Sequence, residues 1–438
     1  MKTLTQEDIR NLNPYNTAFL LISLVVWICL PIVGIFPLLL SVQLNLLSNK
    51  NQSRNIDLLN NLVLIIVVFT VCIFFTSYTI YSDLVVYVKT YEQLYKLNPF
   101  EAALFYGTGI EFIPLLFAYL VYYLTSGSVY AYLFSHAFII NTLVVFVISK
   151  RLSAKYYPAL LMLVFSTPYY YWQVPIIRHS LSNTFLMVAI TFIESSRSSF
   201  LFYLILAFFS HSSNILNIAS LIFMKIYQKG KSNIVIRFFI KNKAIVIFAI
   251  FGLIVFLFFN KLSLSIILPF MRLFIDVDKY SNLEKTLESY DNYYVGTGFS
   301  LNTIIFTFIQ IHMLFILFLK RDIPLKNLAL IFIFSIQFIS YTYSLINSTN
   351  WRVYFLMLSM YGLFYIPNAI LLYVRNNLLL NMTLIVSVCV IFTFNCWQFF
   401  PGLVEGWIVA PEHIFFNGIP LQMTLVDYII FFVNAIPN

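Results

Sequence analysis

Apolar runs of about 20 residues recur along nearly the whole chain, with short polar segments between them. A helix crosses the hydrocarbon core of a bilayer with about 20 such residues. Lipid offers no partners to an open backbone, so the runs predict helices and not sheets. Clear runs lie at 17–42, 58–82, 129–149, 157–176, 244–268, 299–319, 328–348, 353–374 and 378–400. Shorter or interrupted ones lie at 104–124, 180–195, 199–224 and 425–436. The predicted fold is all-α and polytopic, with about 11–13 membrane segments, some re-entrant or broken. Residues 1–438 read as one integral membrane domain with an extracytoplasmic loop at 269–298.

Composition agrees. Hydrophobic residues make up 61% and charged residues 10% of the chain, whereas a soluble domain carries about 25% charged residues. The net charge of +9 does not point to nucleic acid, because the Lys and Arg residues sit in short loops between apolar runs. The first run is too long for the core of a cleaved signal and has no small-residue cleavage site. Cys29, Cys72, Cys389 and Cys396 all fall in apolar runs, which predicts buried thiols and no disulfide framework.

Basic clusters set the expected sidedness, because positive loops stay in the cytoplasm. The clusters are Lys50/Arg54, Lys150-Arg151-Lys155, Lys225 through Lys243, and Lys320-Arg321-Lys326. Placing all four inside requires that 104–124, with Gly107, Gly109, Glu111 and Pro114, lie in or dip into the outer face. It also requires that 199–224 break near Ser210-His211-Ser212-Ser213-Asn214 and turn back. The N-terminus then lies outside. With that layout 16 of the 26 Lys and Arg residues, but 3 of the 17 Asp and Glu residues, lie on the inner side.

Few residues capable of chemistry remain on the outer side. Arg178 stands between two runs, and its fork suits phosphate oxygens. The start of the following helix adds unpaired N–H groups. Arg352, in Asn350-Trp351-Arg352, occupies a similar position, and the pair would clamp a pyrophosphate if their helices meet. A snorkelling interfacial arginine is the plain alternative for each. His211 interrupts an apolar stretch, and an ionisable group at membrane depth is read as functional by default. Asp83, Tyr87 and Tyr91 share one helical face by their spacing of four, so a carboxylate stands beside phenols that could meet a sugar. Glu111 is a second carboxylate candidate. The 269–298 loop combines acids and aromatics, including Lys279 and Tyr280, and suits either sugar binding or plain solvation. Asp276-Val277-Asp278 is a bare D-x-D pattern. No P-loop, zinc spacing, G-x-S-x-G or dinucleotide fingerprint occurs. Ionisable residues inside runs are few (His136, His211, Lys261 and His312), which argues against a proton- or sodium-driven transporter.

Taken in order, these positions resemble the EpsG-like branch of the Wzy-type polysaccharide polymerases. Asp83, Tyr87 and Tyr91 resemble the family's early acid with spaced tyrosines. Arg178-His179-Ser180-Leu181-Ser182 is similar to its Arg-Gln-Gly-Leu-Ala start of a helix, with Arg178 and Leu181 carrying the match. Leu206-Ala207-Phe208-Phe209-Ser210-His211-Ser212-Ser213 is similar to its Phe-His-x-Ser stretch. Lys279-Tyr280 and Arg352-Val353-Tyr354-Phe355 resemble its later motifs. The resemblance implies a GT-C-like, multi-pass glycosyltransferase of the bacterial inner membrane, joining repeat units carried on undecaprenyl pyrophosphate at the periplasmic face. It further implies catalysis by Arg178, Arg352, His211 and Asp83, with Tyr87, Tyr91, His179, Lys279 and Tyr280 binding substrate; Glu111, read from its own position, is added to the substrate-binding set. No metal or cofactor and no nucleic acid is implied, and a chain-length regulator is a possible partner. The alternatives are a lipid-linked oligosaccharide flippase or transporter, or another lipid-donor glycosyltransferase or ligase.

Cysteine labelling in intact cells is expected to reach positions 178 and 352 from outside, and positions 150–155, 225–243 and 320–326 only after permeabilisation. Labelling of 178 and 352 from the cytoplasmic side rejects this layout.

Overall fold

The computed structural model describes residues 14–48, 54–76, 83–99, 101–102, 111–151, 161, 177–211 and parts of 214–225 and 424–430. These residues form helices and turns, and no strand occurs among them. The helices are α1 (Pro14–Cys29), α2 (Pro31–Ser48), α3 (Arg54–Thr76), α4 (Asp83–Glu92), α5 (Phe112–Leu124), α6 (Val129–Arg151), α7 (Ile177–Phe192) and α8 (Arg197–Ser210). The chain divides into two compact units, one of Met1–Ser212 with Gly362–Asn438 and one of Ser213–Tyr361. All eight helices lie in the first.

The run at 17–42 is not one crossing. It divides at Leu30-Pro31 into α1 and α2, which fold back on one another. Ser23 Oγ lies 3.2 Å from the Pro37 carbonyl, and a Cβ on Gly34 would stand 2.3 Å from the Trp27 Cα. The hairpin therefore brings Pro14 and Ser48 to the same end, so the expected single run at 17–42 is two helices; the N-terminal residues before Pro14 and Lys50 lie outside the described residues. The cause is local. Pro31 cannot continue the ladder of α1 but suits the first position of a new helix, and Gly34 lets the two backbones touch. The Trp27 indole N–H then donates to Thr70 Oγ1 at 2.9 Å and ties the hairpin to α3.

Helix α3 meets α6 with Phe69 5.5 Å from Phe134 and with Asn141 Nδ2 donating to Cys72 Sγ at 3.9 Å. Both contacts advance in the same sense along the two helices, so α3 and α6 run in broadly the same direction where they touch. Alternating loop charge predicts opposed helices. The start of α3 and the end of α6 thus lie at opposite ends, so these two helices do not fit the layout that places the basic clusters of Arg54 and of Lys150-Arg151 on the same side.

Helix α5 has 13 residues and spans about 20 Å, short of a hydrocarbon core about 30 Å thick. It reverses into α6 through Thr125-Ser126-Gly127, where Gly127 adopts a φ of 82° that side chains disfavour. The Gly127 N–H closes the turn on the Tyr122 carbonyl at 2.9 Å. Within α6, Val129–Val147 is the one described helix long and apolar enough to cross a membrane.

Helix α7 is buried along almost its whole length. Its Ser182 donates to the Ala207 carbonyl of α8 at 2.6 Å, an approach that small residues at both positions permit. Further contacts pair Phe185 with Tyr203 and His179 with His211, so α7 and α8 are antiparallel. Ser196 caps α8 by accepting from the Ser199 N–H. Outward faces stay apolar: Leu58, Leu62, Ile65 and Phe69 make one exposed stripe on α3, and Leu201, Phe202 and Ile205 another on α8. Contiguous apolar faces of this kind suit lipid.

Gly34→Ala is expected to destabilise the protein by about 1–3 kcal/mol, because the atom met is main chain and cannot swing aside. An unchanged melting temperature in detergent contradicts the hairpin contact.

Candidate functional site

Arg178 stands in the first turn of α7, where the positive end of the helix dipole opposes a cation. Its counter-charge comes from Glu111, 67 residues earlier, whose carboxylate pairs with the guanidinium. Glu111 occupies the N-cap position of α5 but does not cap that helix. Its second oxygen instead lies 2.7 Å from Nδ1 of His211. One carboxylate thus joins the starts of α5 and α7 to the end of α8. The Glu111 side chain is 1% exposed, while those of Arg178 and His211 keep 17% and 14%. The acid is sealed behind a guanidinium and an imidazole that still reach the surface.

Neighbouring groups hold these three in place. The Tyr87 phenol accepts from Arg178 Nε at 2.8 Å, and its ring lies 5.2 Å from the centre of the guanidinium. Phe112 packs on Phe209 at 4.5 Å, which fixes the start of α5 against the end of α8, one residue from Glu111 and two from His211. The buried His179 ring meets the edge of His211 at 5.0 Å. Helix α8 stops at Ser210, and His211 turns to extended backbone with its N–H on the Ala207 carbonyl. The helix thus ends where the break at 210–214 was expected, while Ser212, Ser213 and the return of the chain lie outside the described residues.

Of the residues singled out from sequence, Arg178, His211, Glu111, Tyr87 and His179 converge. Tyr91 shares a helix with Tyr87 but points into the fold, stacked on Tyr132 at 4.3 Å with its phenol donating to the Ser128 carbonyl at 3.2 Å. It is fully buried. Asp83 opens α4, and its side chain lies outside the described set. Arg352, Lys279 and Tyr280, together with the loop at 269–298, lie outside the described residues. Glu111 takes a more central place than its sequence context suggested. The signal available was an acid in a Gly- and Pro-marked apolar stretch, which needs a partner when buried.

Chemically, a partly exposed guanidinium and a partly exposed imidazole flank one buried carboxylate. Such a pair can take an anion on one side and a proton on the other. An all-helical protein with apolar outer faces and a buried ionic cluster of this kind is the described part of a membrane protein with a polar working site. The chain belongs to the EpsG family, whose model matches residues 60–405. That family is membrane-associated and has a polymerase-like, glycosyltransferase-type function in polysaccharide biosynthesis. No curated protein and no solved structure matches the chain.

Tyr87→Phe removes a hydrogen bond to a charged group and is expected to cost about 1.5–3 kcal/mol of stability, read as a lower melting temperature. Tyr87→Ala is expected to cost more, because it also removes the ring beside the guanidinium. Equal stability of wild type and Tyr87→Phe contradicts this role.

Proposed function

We infer that the protein polymerises oligosaccharide repeat units carried on undecaprenyl pyrophosphate, at the face of the bacterial inner membrane turned away from the cytosol. The observation that carries this reading is the Arg178–Glu111–His211 cluster in a member of the EpsG family. The reading also takes the chain to be a GT-C-like protein crossing the membrane many times, with a chain-length regulator as a candidate partner.

Sidedness has local support. The α7–α8 turn carries exposed Glu194 and Arg197, and Phe146, one helical turn before Lys150, touches Phe192 beside that turn. The basic ends of α6 and α8 therefore gather near one another, while Arg178 and His211 lie at the opposite ends of α7 and α8. Reading those basic ends as cytoplasmic supports an outward-facing cluster, whereas Arg54, at the end of α3 opposite to Arg151 of the parallel α6, counts against it.

In the reaction, a hydroxyl of one lipid-linked repeat unit attacks the anomeric carbon of a saccharide on a second lipid carrier. A C–O bond forms, the bond from the anomeric carbon to the pyrophosphate oxygen breaks, and undecaprenyl pyrophosphate leaves with the electron pair. Arg178, with Arg352 as a second guanidinium, stabilises the charge that develops on the departing pyrophosphate. The hydroxyl proton goes to a base on the protein, either His211 or Asp83.

Deletion of the protein is expected to leave a single repeat unit on the acceptor lipid, and Arg178→Ala to reproduce that pattern while still inserting in the membrane. Long polymer made by Arg178→Ala, or loss of even the single unit on deletion, rejects the assignment. The second outcome points to a flippase or ligase.

A further inference from the structure

Resting on the polymerase reading, the geometry goes further for the proton step. We propose that His211 is the base, acting through Nε2, and that Glu111 is the positioning residue that presents it.

An ionised carboxylate only accepts hydrogen bonds. With Glu111 Oε1 2.7 Å from Nδ1, the hydrogen bond exists when Nδ1 carries the proton. A neutral imidazole protonated there has its lone pair at Nε2, the atom on the far side of the ring from the acid. Arg178 holds the other carboxylate oxygen, so the anion is balanced and kept in place although nearly all of it is buried. His211 cannot swing freely. Its backbone N–H is tied to Ala207, Glu111 holds one ring edge, and His179 packs against the ring at 5.0 Å. The side chain remains partly exposed, as a base that meets an acceptor hydroxyl requires. A base oriented by a third group is the arrangement that makes a histidine effective in proton transfer.

The arrangement also links the two halves of the reaction. The same carboxylate that selects the tautomer of His211 pairs with the guanidinium assigned to the pyrophosphate. When the donor's anionic groups approach Arg178, they share its charge with Glu111. Glu111 then becomes a better acceptor for the Nδ1 proton and a better stabiliser of the imidazolium that forms when Nε2 takes the hydroxyl proton. The proton leaves His211 for water after the lipid pyrophosphate departs, which restores the starting state.

The test uses the full-length protein in detergent or nanodiscs with purified lipid-linked repeat units. It compares wild type, Glu111→Gln, His211→Ala and the double variant. Glu111→Gln is expected to lower kcat by about 100-fold without raising the donor KM, because Arg178 loses a competitor and not a ligand. In the His211→Ala background the same substitution is expected to change the rate less than about 2-fold, since residues acting as one unit are not additive. Losses that multiply in the double variant, or a loss confined to donor KM, overturn the proposal and leave Glu111 as a support for Arg178 alone. If Glu111→Gln does not fold, the His211→Ala variant decides. Recovery of activity with added imidazole supports His211 as the base. No recovery, with activity abolished by Asp83→Asn, overturns it. A wild-type protein that extends no purified substrate rejects the polymerase reading itself, an outcome distinct from either result.

Discussion

One buried carboxylate organises the place where α5, α7 and α8 meet. Glu111 pairs with Arg178 through one oxygen and with His211 through the other. In a medium of low dielectric, an acid left without a partner is costly, and charge interactions are stronger than in water. The three helix ends that carry these residues are therefore held together, and their meeting specifies the site. The Phe112–Phe209 contact does the matching apolar work next door. Losing either contact would loosen the other, because they sit within two residues of one another at the start of α5 and the end of α8.

The scaffold beneath this cluster is built on close approach. In lipid, apolar burial gives little drive for one helix to find another, so association rests on packing and on hydrogen bonds between helices. Helices α7 and α8 follow that logic. Ser182 reaches the Ala207 backbone, and α7 is buried over nearly its full length. A helix enclosed on most sides makes a rigid mount for Arg178 in its first turn. The arginine sits at the end of α7 where the helix itself repels it, and Glu111 offsets that penalty.

Much of the candidate site was legible in the chain, for reasons that belong to particular residues. Arg178 marks the junction of two runs, His211 marks a polar break in an apolar run, and Tyr87 lies one turn after Asp83. Each stands out because membrane segments tolerate few such residues. Glu111 was visible by the same test but ranked low, because its partners are 67 and 100 positions away and no local pattern points to them. Tyr91 shows the opposite case. The spacing put it on the face of Tyr87, and the fold turned it onto Tyr132 instead. The run at 17–42 held the marks of its own division in Pro31 and Gly34, yet its length argued for one crossing. Proline in a long apolar run can bend a helix or end it, and only the contact of Gly34 with Trp27 distinguishes the two.

Composition and the period of the apolar runs were enough to determine that this chain is helical and suited to lipid, because hydrocarbon leaves the backbone few other ways to satisfy its polar groups. The basic loops were enough to suggest an inner side for several segments. The tertiary structure alone decided which ionisable residues meet, that α1 and α2 double back, and that α3 and α6 run the same way where they touch. Those outcomes rest on contacts between residues far apart in the chain, and run length, charge and spacing carry no record of distance across the fold.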